Sequence, residues 1–205
     1  MKTLSECVIA NNIEAVSELL RITQTEDDLN DSLNIALGDE TKFHIADKII
    51  AAGANVTKAL FTILACADSS QFKPIILMDI KFLLDKLINN QLNIQSDKQY
   101  LNFSLILALA LGDDLKFHIA DEIIAAGANV RDAISYFIYS NKAQSKPNNV
   151  LSVQFLLQQL PTVTKQTILF DVIVSKDIDM IKLCCGCKDI DLNVINEDGC
   201  TSLEH

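Results

Sequence analysis

The chain has 205 residues, 27 of them acidic against 17 basic, giving a formal net charge of −10 and an isoelectric point near 4.6. That balance argues against nucleic acid, whose phosphates need clustered Lys and Arg, and against an anionic membrane surface. An apolar fraction of 49% supports a well-buried core, and only 3 prolines and 6 glycines leave little punctuation for an all-β fold, so helices joined by short turns are expected.

The opening residues, MKTLSECVIANNIEAV, do not read as a secretory leader, because Glu6 interrupts any apolar stretch. They read instead as a first helix, TLSECVIA, and a second, IEAVSELLR, joined at Asn11-Asn12. In the second, Ala15, Val16, Leu19 and Leu20 fall at helical spacing and make one apolar stripe. A second pair follows as LNDSLNIALG and KFHIADKIIAAG, closed by Gly53, a residue suited to the left-handed position after a helix. The third pair is TKALFTILACA and MDIKFLLDKLIN, separated by the Pro74 region.

From there the chain copies itself. Residues 33–56, LNIALGDETKFHIADKIIAAGANV, return at 107–130 as LALALGDDLKFHIADEIIAAGANV, with 19 of 24 positions the same at an offset of 74 residues. More loosely, KPIILMDIKFLLDKL from Lys73 returns as KPNNVLSVQFLLQQL from Lys146. Fixed-period self-similarity is the signature of a repeat architecture. The fourth and fifth pairs therefore copy the second and third, and a sixth follows as KQTILFDVIVS and IDMIKLCC. The expected units are residues 1–27, 28–56, 57–95, 96–130, 131–160 and 161–195, with a truncated seventh at 196–205. A single helix pair cannot bury both apolar faces, whereas stacked pairs can. The expectation is one all-α domain, a solenoid of stacked antiparallel helix pairs with at most a short β-hairpin near the C-terminus.

The longest strongly apolar run, residues 105–111, is far too short for a membrane span. Six cysteines without a secretory signal are expected to be reduced thiols, which suits a cytoplasmic protein.

IADKIIAAGANV and IADEIIAAGANV resemble the second helix and closing turn of an ankyrin repeat, and IEAVSELL looks like the same helix. Near the end, KDIDMIKLCC followed by DIDLNVINEDGCTSL is similar to an ankyrin helix, its β-hairpin and the next repeat's opening. Asp198-Gly199 stand at the hairpin turn and Thr201 at the Thr-Pro-Leu-His start, where Ser202 replaces proline, Leu203 matches and Glu204 replaces histidine. The internal units depart from the family: after Val56 and Val130 the next helix begins at once, where the family has a projecting finger. The resemblance implies a protein-interaction scaffold that uses the groove lined by the first helices rather than fingers. The Ile-, Asn- and Lys-rich composition also looks like that of ankyrin proteins of intracellular bacteria, some of which are delivered into host cells.

Candidate chemistry is sparse. His44 and His118 each stand three residues before an acid, Asp47 and Asp121, a spacing that puts both groups on one helical face. The two sites arise from one duplication, so their recurrence is inherited, and they read as helix-face histidines bonded locally. Cys184, Cys185 and Cys187 lack a second cluster to complete a metal site, and Cys184 and Cys185 read as core, as do Cys7 and Cys66. Asp39-Glu40 and Asp113-Asp114 read as solvated turns. No metal, cofactor or catalytic group is expected, and the chain does not read as an enzyme. If Ile134, Phe137 and Ile138 face the core, Tyr136 and Tyr139 point outward together, onto the face that lines the groove in ankyrin-like stacks. Glu6 and Asp171 align with that face and make it acidic. The expected partner is a protein, through a basic or helical segment, held by Tyr136, Tyr139, Glu6 and Asp171. The alternative is a targeting module for an enzyme whose catalytic domain lies C-terminal to this chain. The copies differ most tellingly at Phe61, Thr62 and Ala65 against Ser135, Tyr136 and Tyr139.

Overall fold

The computed structural model describes residues 2–22, 24–67, 74–89, 98–111, 115–140, 147–187, 190, 191, 193 and 201. Among them the chain is all-α, with twelve helices and, at Thr201, one isolated β-bridge residue. The helices come in six successive pairs. They are α1 (Leu4–Ile9) with α2 (Ile13–Leu19), α3 (Glu26–Ala36) with α4 (Phe43–Ala51), and α5 (Val56–Cys66) with α6 (Pro74–Asn89). Then follow α7 (Lys98–Ala110) with α8 (Lys116–Ala125), α9 (Val130–Ser140) with α10 (Pro147–Gln158), and α11 (Thr162–Ser175) with α12 (Ile178–Cys185). The expected C-terminal hairpin and most of the seventh unit, Cys200 included, lie outside the described residues, as does Asp113-Asp114.

Each odd-numbered helix packs on the even one after it, and the odd helices also pack in series, α1 on α3, then α5, α7, α9 and α11. On the other side α2 meets α4, α6 meets α8, and α10 meets α12. The result is two helical layers with the apolar residues between them, including Leu33, Ile49, Leu60, Leu84, Leu105, Ile123 and Ile134, all under 2% exposed. Taking each such side chain from water contributes about 1.5–3 kcal/mol.

Helix starts are set by local chemistry. Thr3 and Glu6 form a capping box on α1, and Thr25 and Asp28 form one on α3, each satisfying two orphan N–H groups. Asn12, Asn55 and Asp177 cap α2, α5 and α12 through their side-chain oxygens. Pro74 and Pro147 occupy the first positions of α6 and α10, where a missing N–H costs nothing.

The joint between the second and third pairs explains why no finger projects there. After α4, Gly53 takes φ +106°; its N–H bonds to the Ile50 carbonyl at 2.9 Å, and the Ala54 N–H reaches the Ile49 carbonyl at 3.2 Å. This is a Schellman turn. Asn55 then caps α5 by accepting from the Lys58 N–H at 2.9 Å, so the chain passes from helix to helix through four residues, 52–55. The second copy repeats it: Gly127 takes φ +103°, its N–H reaches the Ile124 carbonyl, and the Ala128 N–H reaches the Ile123 carbonyl. Each joint is pinned from the preceding odd helix. The Asn30 side chain accepts the Asn55 N–H at 2.7 Å, and the Asn102 side chain accepts the Asn129 N–H at 2.7 Å.

That pair of bonds corrects the register of the duplication. Asn55 and Asn129 are 74 residues apart, whereas Asn30 and Asn102 are 72 apart. The shared pattern is Leu29-Asn30-x-Ser32-Leu33 and Leu101-Asn102-x-Ser104-Leu105, and α7 has 13 residues where α3 has 11. Burial agrees with the shorter offset. Leu33 matches Leu105 and Ala36 matches Ala108, all fully buried, whereas the longer offset would pair Ala36 with the exposed Ala110.

Bonds between successive second helices are also duplicated. Phe43 stacks on Phe82 with ring centroids 4.5 Å apart, and Phe117 meets Phe155 at 4.8 Å. Asp79 on α6 is buried and accepts the Gly38 N–H at 3.0 Å; its counterpart on α10 is the neutral Ser152, which donates to the Leu109 carbonyl. Burial pushes the Asp79 carboxyl above its ordinary pKa, and the Gly38 bond only partly opposes this. With the folded pKa above the unfolded one, Asp79 favours folding at low pH and loses that contribution as pH rises through the folded value. Asp79→Asn keeps the acceptor and removes the charge. It is expected to raise the melting temperature at pH 7, with the gain shrinking toward pH 3, as thermal denaturation followed by circular dichroism will show.

Candidate functional site

Tyr136 and Tyr139 stand on α9 at positions fixed by their neighbours. Ile134, Phe137 and Ile138 are 4% exposed or less, so the helical period turns both tyrosines outward, each 47% exposed. Asp132 lies on the same side, one turn before Tyr136, and accepts a bond at 2.9 Å from the Asn102 amide of α7. Phe103 follows Asn102 and is 39% exposed. Phe61 of α5 then meets Tyr100 and Phe103, with ring centroids 5.8 and 6.2 Å away. Three adjacent first helices thus carry aromatic side chains on the open side of one layer. Sequence reasoning found the α9 tyrosines and missed Tyr100 and Phe103, because the 74-residue register hid what they replace. In the 72-residue register they stand where α3 has Asp28 and Asp31.

Glu6 is exposed on α1, but its carboxylate is already engaged, accepting the Thr3 N–H at 2.9 Å in the capping box. Asp171 is partly buried on α11. They stand on the first and last helices of the layer, α1 and α11, apart from the tyrosines on α9. Closer to the aromatic strip, Asp31 is exposed, and Asp27 makes a 3.5 Å ion pair with Lys58 while staying 87% exposed in its side chain. Such an exposed pair contributes about 0–1 kcal/mol.

The His-Asp sites do not form dyads. Asp47 pairs with Lys86 of α6 at 2.6 Å, and Asp121 accepts from Gln159, the residue after α10, at 3.3 Å. Both acids therefore tie one helix pair to the next. His44 is exposed, and the His118 ring lies 3.4 Å from Glu122 one turn on. Asp39 is a turn former: its carboxylate accepts from the Thr41 N–H and hydroxyl and meets Lys42 at 3.3 Å, and the Thr41 hydroxyl is foremost in holding its pKa low.

The cysteines separate by helical position. Cys7 and Cys184 are buried as expected, but Cys66 and Cys185 are exposed, which corrects their reading as core. Cys66 ends α5, and Cys185 follows the inward Cys184, so each projects to solvent. No group of three metal-ligating side chains occurs among the described residues. Burial, with Cys187 and Cys185 nearby, pushes the Cys184 thiol up to about 12. Alkylation with iodoacetamide at pH 8 is expected to modify Cys66 and Cys185 in the folded protein and to spare Cys7 and Cys184 until denaturant is added, as peptide mass mapping will read.

A cavity of about 430 Å³ opens between α10, α11 and α12, lined by Gln154, Gln158, Lys165, Lys182 and Cys187 among others. No carboxylate or histidine lines it. No described helix is long and apolar enough to cross a membrane. Set against family models, curated proteins and solved structures, the chain matches none of them.

Proposed function

We propose that the six helix pairs form an ankyrin-like solenoid that acts as a protein-interaction scaffold, holding a partner protein across the open face of the first-helix layer. The observation that carries this reading is the run of outward aromatic side chains over α5, α7 and α9, with Tyr136 and Tyr139 each 47% exposed. Large amphipathic rings bury much surface at small entropic cost, which makes them frequent binding anchors. The serial packing of the odd helices supports it, because such a layer offers one extended surface rather than a closed pocket. Duplicated joints without fingers also leave the helix face as the principal surface.

The test is calorimetry on a complex isolated with the wild-type chain. Tyr136→Ala with Tyr139→Ala is expected to weaken binding by about 30-fold or more, as loss of anchors worth about 2 kcal/mol or more requires. Lys81→Ala with Asp85→Ala, exposed on α6 in the other layer, should leave it unchanged. Equal losses from both pairs of substitutions, or none from the tyrosines, would contradict the proposal.

A further inference from the structure

The duplication made two copies of one surface and then gave them different chemistry. In the first copy the open side of α3 carries Asp27 and Asp31, and α5 carries Phe61, Thr62 and Ala65. In the second copy the matching positions hold Gln99 and Phe103 on α7, and Ser135, Tyr136 and Tyr139 on α9. The buried residues beneath hardly differ: Leu29, Ser32, Leu33 and Ala36 face Leu101, Ser104, Leu105 and Ala108. The divergence lies in the outward side chains, so packing does not account for it.

We infer that the face is bipartite and takes a bipartite peptide segment of the partner: a cluster of Lys and Arg seated over α3, and aliphatic or aromatic side chains seated over α7 and α9. This rests on the scaffold reading above and adds the chemistry and length of what is bound. Charge complementarity selects the basic end. Asp31 and Asp27 face solvent there, with Lys58 the facing cation, on a chain of net charge −10. The same charge disfavours a second copy of this chain as the occupant. At the other end Phe103, Tyr136 and Tyr139 offer apolar area, and their ring faces also accept a guanidinium. Successive packed helices lie about 8–10 Å apart, so three steps from α3 to α9 span roughly 24–30 Å. An extended segment covers that in about 8 or 9 residues, and a helix in about 18.

The experiment uses the full chain and a displayed library of random 20-residue peptides, with enriched sequences remeasured by fluorescence anisotropy. Enriched peptides are expected to carry a net positive cluster at one end and apolar residues at the other. Asp27→Asn with Asp31→Asn should weaken them by about threefold to tenfold at low salt and flatten the salt dependence. Tyr136→Ser with Tyr139→Ser should weaken them by more than tenfold while leaving the salt dependence in place. Circular dichroism will verify that these surface variants stay folded. Enriched peptides that are neutral or acidic, yet still depend on the tyrosines, would overturn the bipartite inference and leave the scaffold reading standing. Peptides indifferent to both pairs of substitutions, or no enrichment at all, would overturn both.

Discussion

Replacing Leu105 by alanine is expected to lower the unfolding free energy by about 2–5 kcal/mol, read as a lower midpoint in urea denaturation. Leu105 is fully buried at the middle of α7, the helix that packs on α5, α8 and α9 together. Truncation there removes apolar surface that no single neighbour can move to cover. In a structure whose units contact mainly their neighbours, a break at the centre also uncouples the two halves. The transition is therefore expected to broaden as well as shift. Leu4→Ala, buried on the terminal helix α1, should cost less and leave the transition sharp. A Leu105→Ala variant that unfolds at the wild-type urea concentration would show that α7 is not central to the packing.

The second large effect is expected at Asn30. Its side-chain oxygen is the acceptor for the Asn55 N–H, and so holds the joint between α4 and α5 to the preceding first helix. Asn30→Ala leaves that N–H without its partner and is expected to cost about 1–3 kcal/mol, as is Asn102→Ala at the equivalent joint. Asn34→Ala, one turn after Asn30 and outside the joint, should cost less. The comparison also checks the 72-residue register. Were 74 correct throughout α7, Asn30 would correspond to Ser104, and substituting Ser104 rather than Asn102 would reproduce the loss.

Much of the helical layout was legible before the structure. Apolar spacing marks the second helices well, and IADKIIAAG carries both its stripe and its glycine stop. The finger-free joint was legible too, because TKALFTIL and RDAISYFI begin a helical pattern directly after valine. The register in α7 was not. Leu-Ala alternation in LILALALG lets the sequence match its copy in two frames, and the bonds made by Asn30 and Asn102, with the burial of Ala108 against the exposure of Ala110, decide between them. Tyr100 and Phe103 were overlooked for that reason. The partners of Asp47 and Asp121 were hidden as well, since Lys86 and Gln159 lie far along the chain and are brought close only by stacking. Cys66 and Cys185 misled because cysteine is usually buried, and composition cannot say which of two adjacent helix positions points inward.

Site-specific photocrosslinking reads out which face of the two layers meets a partner. A photoreactive phenylalanine analogue is placed at Tyr139 on α9 or at Lys81 on α6, and the adducts formed by the full chain in its native cell are compared. A discrete protein adduct is expected from position 139, lost when Tyr136 is also changed to serine, and none from position 81. An adduct from position 81 alone, or one from position 139 that persists without Tyr136, would contradict a partner site on the first-helix face.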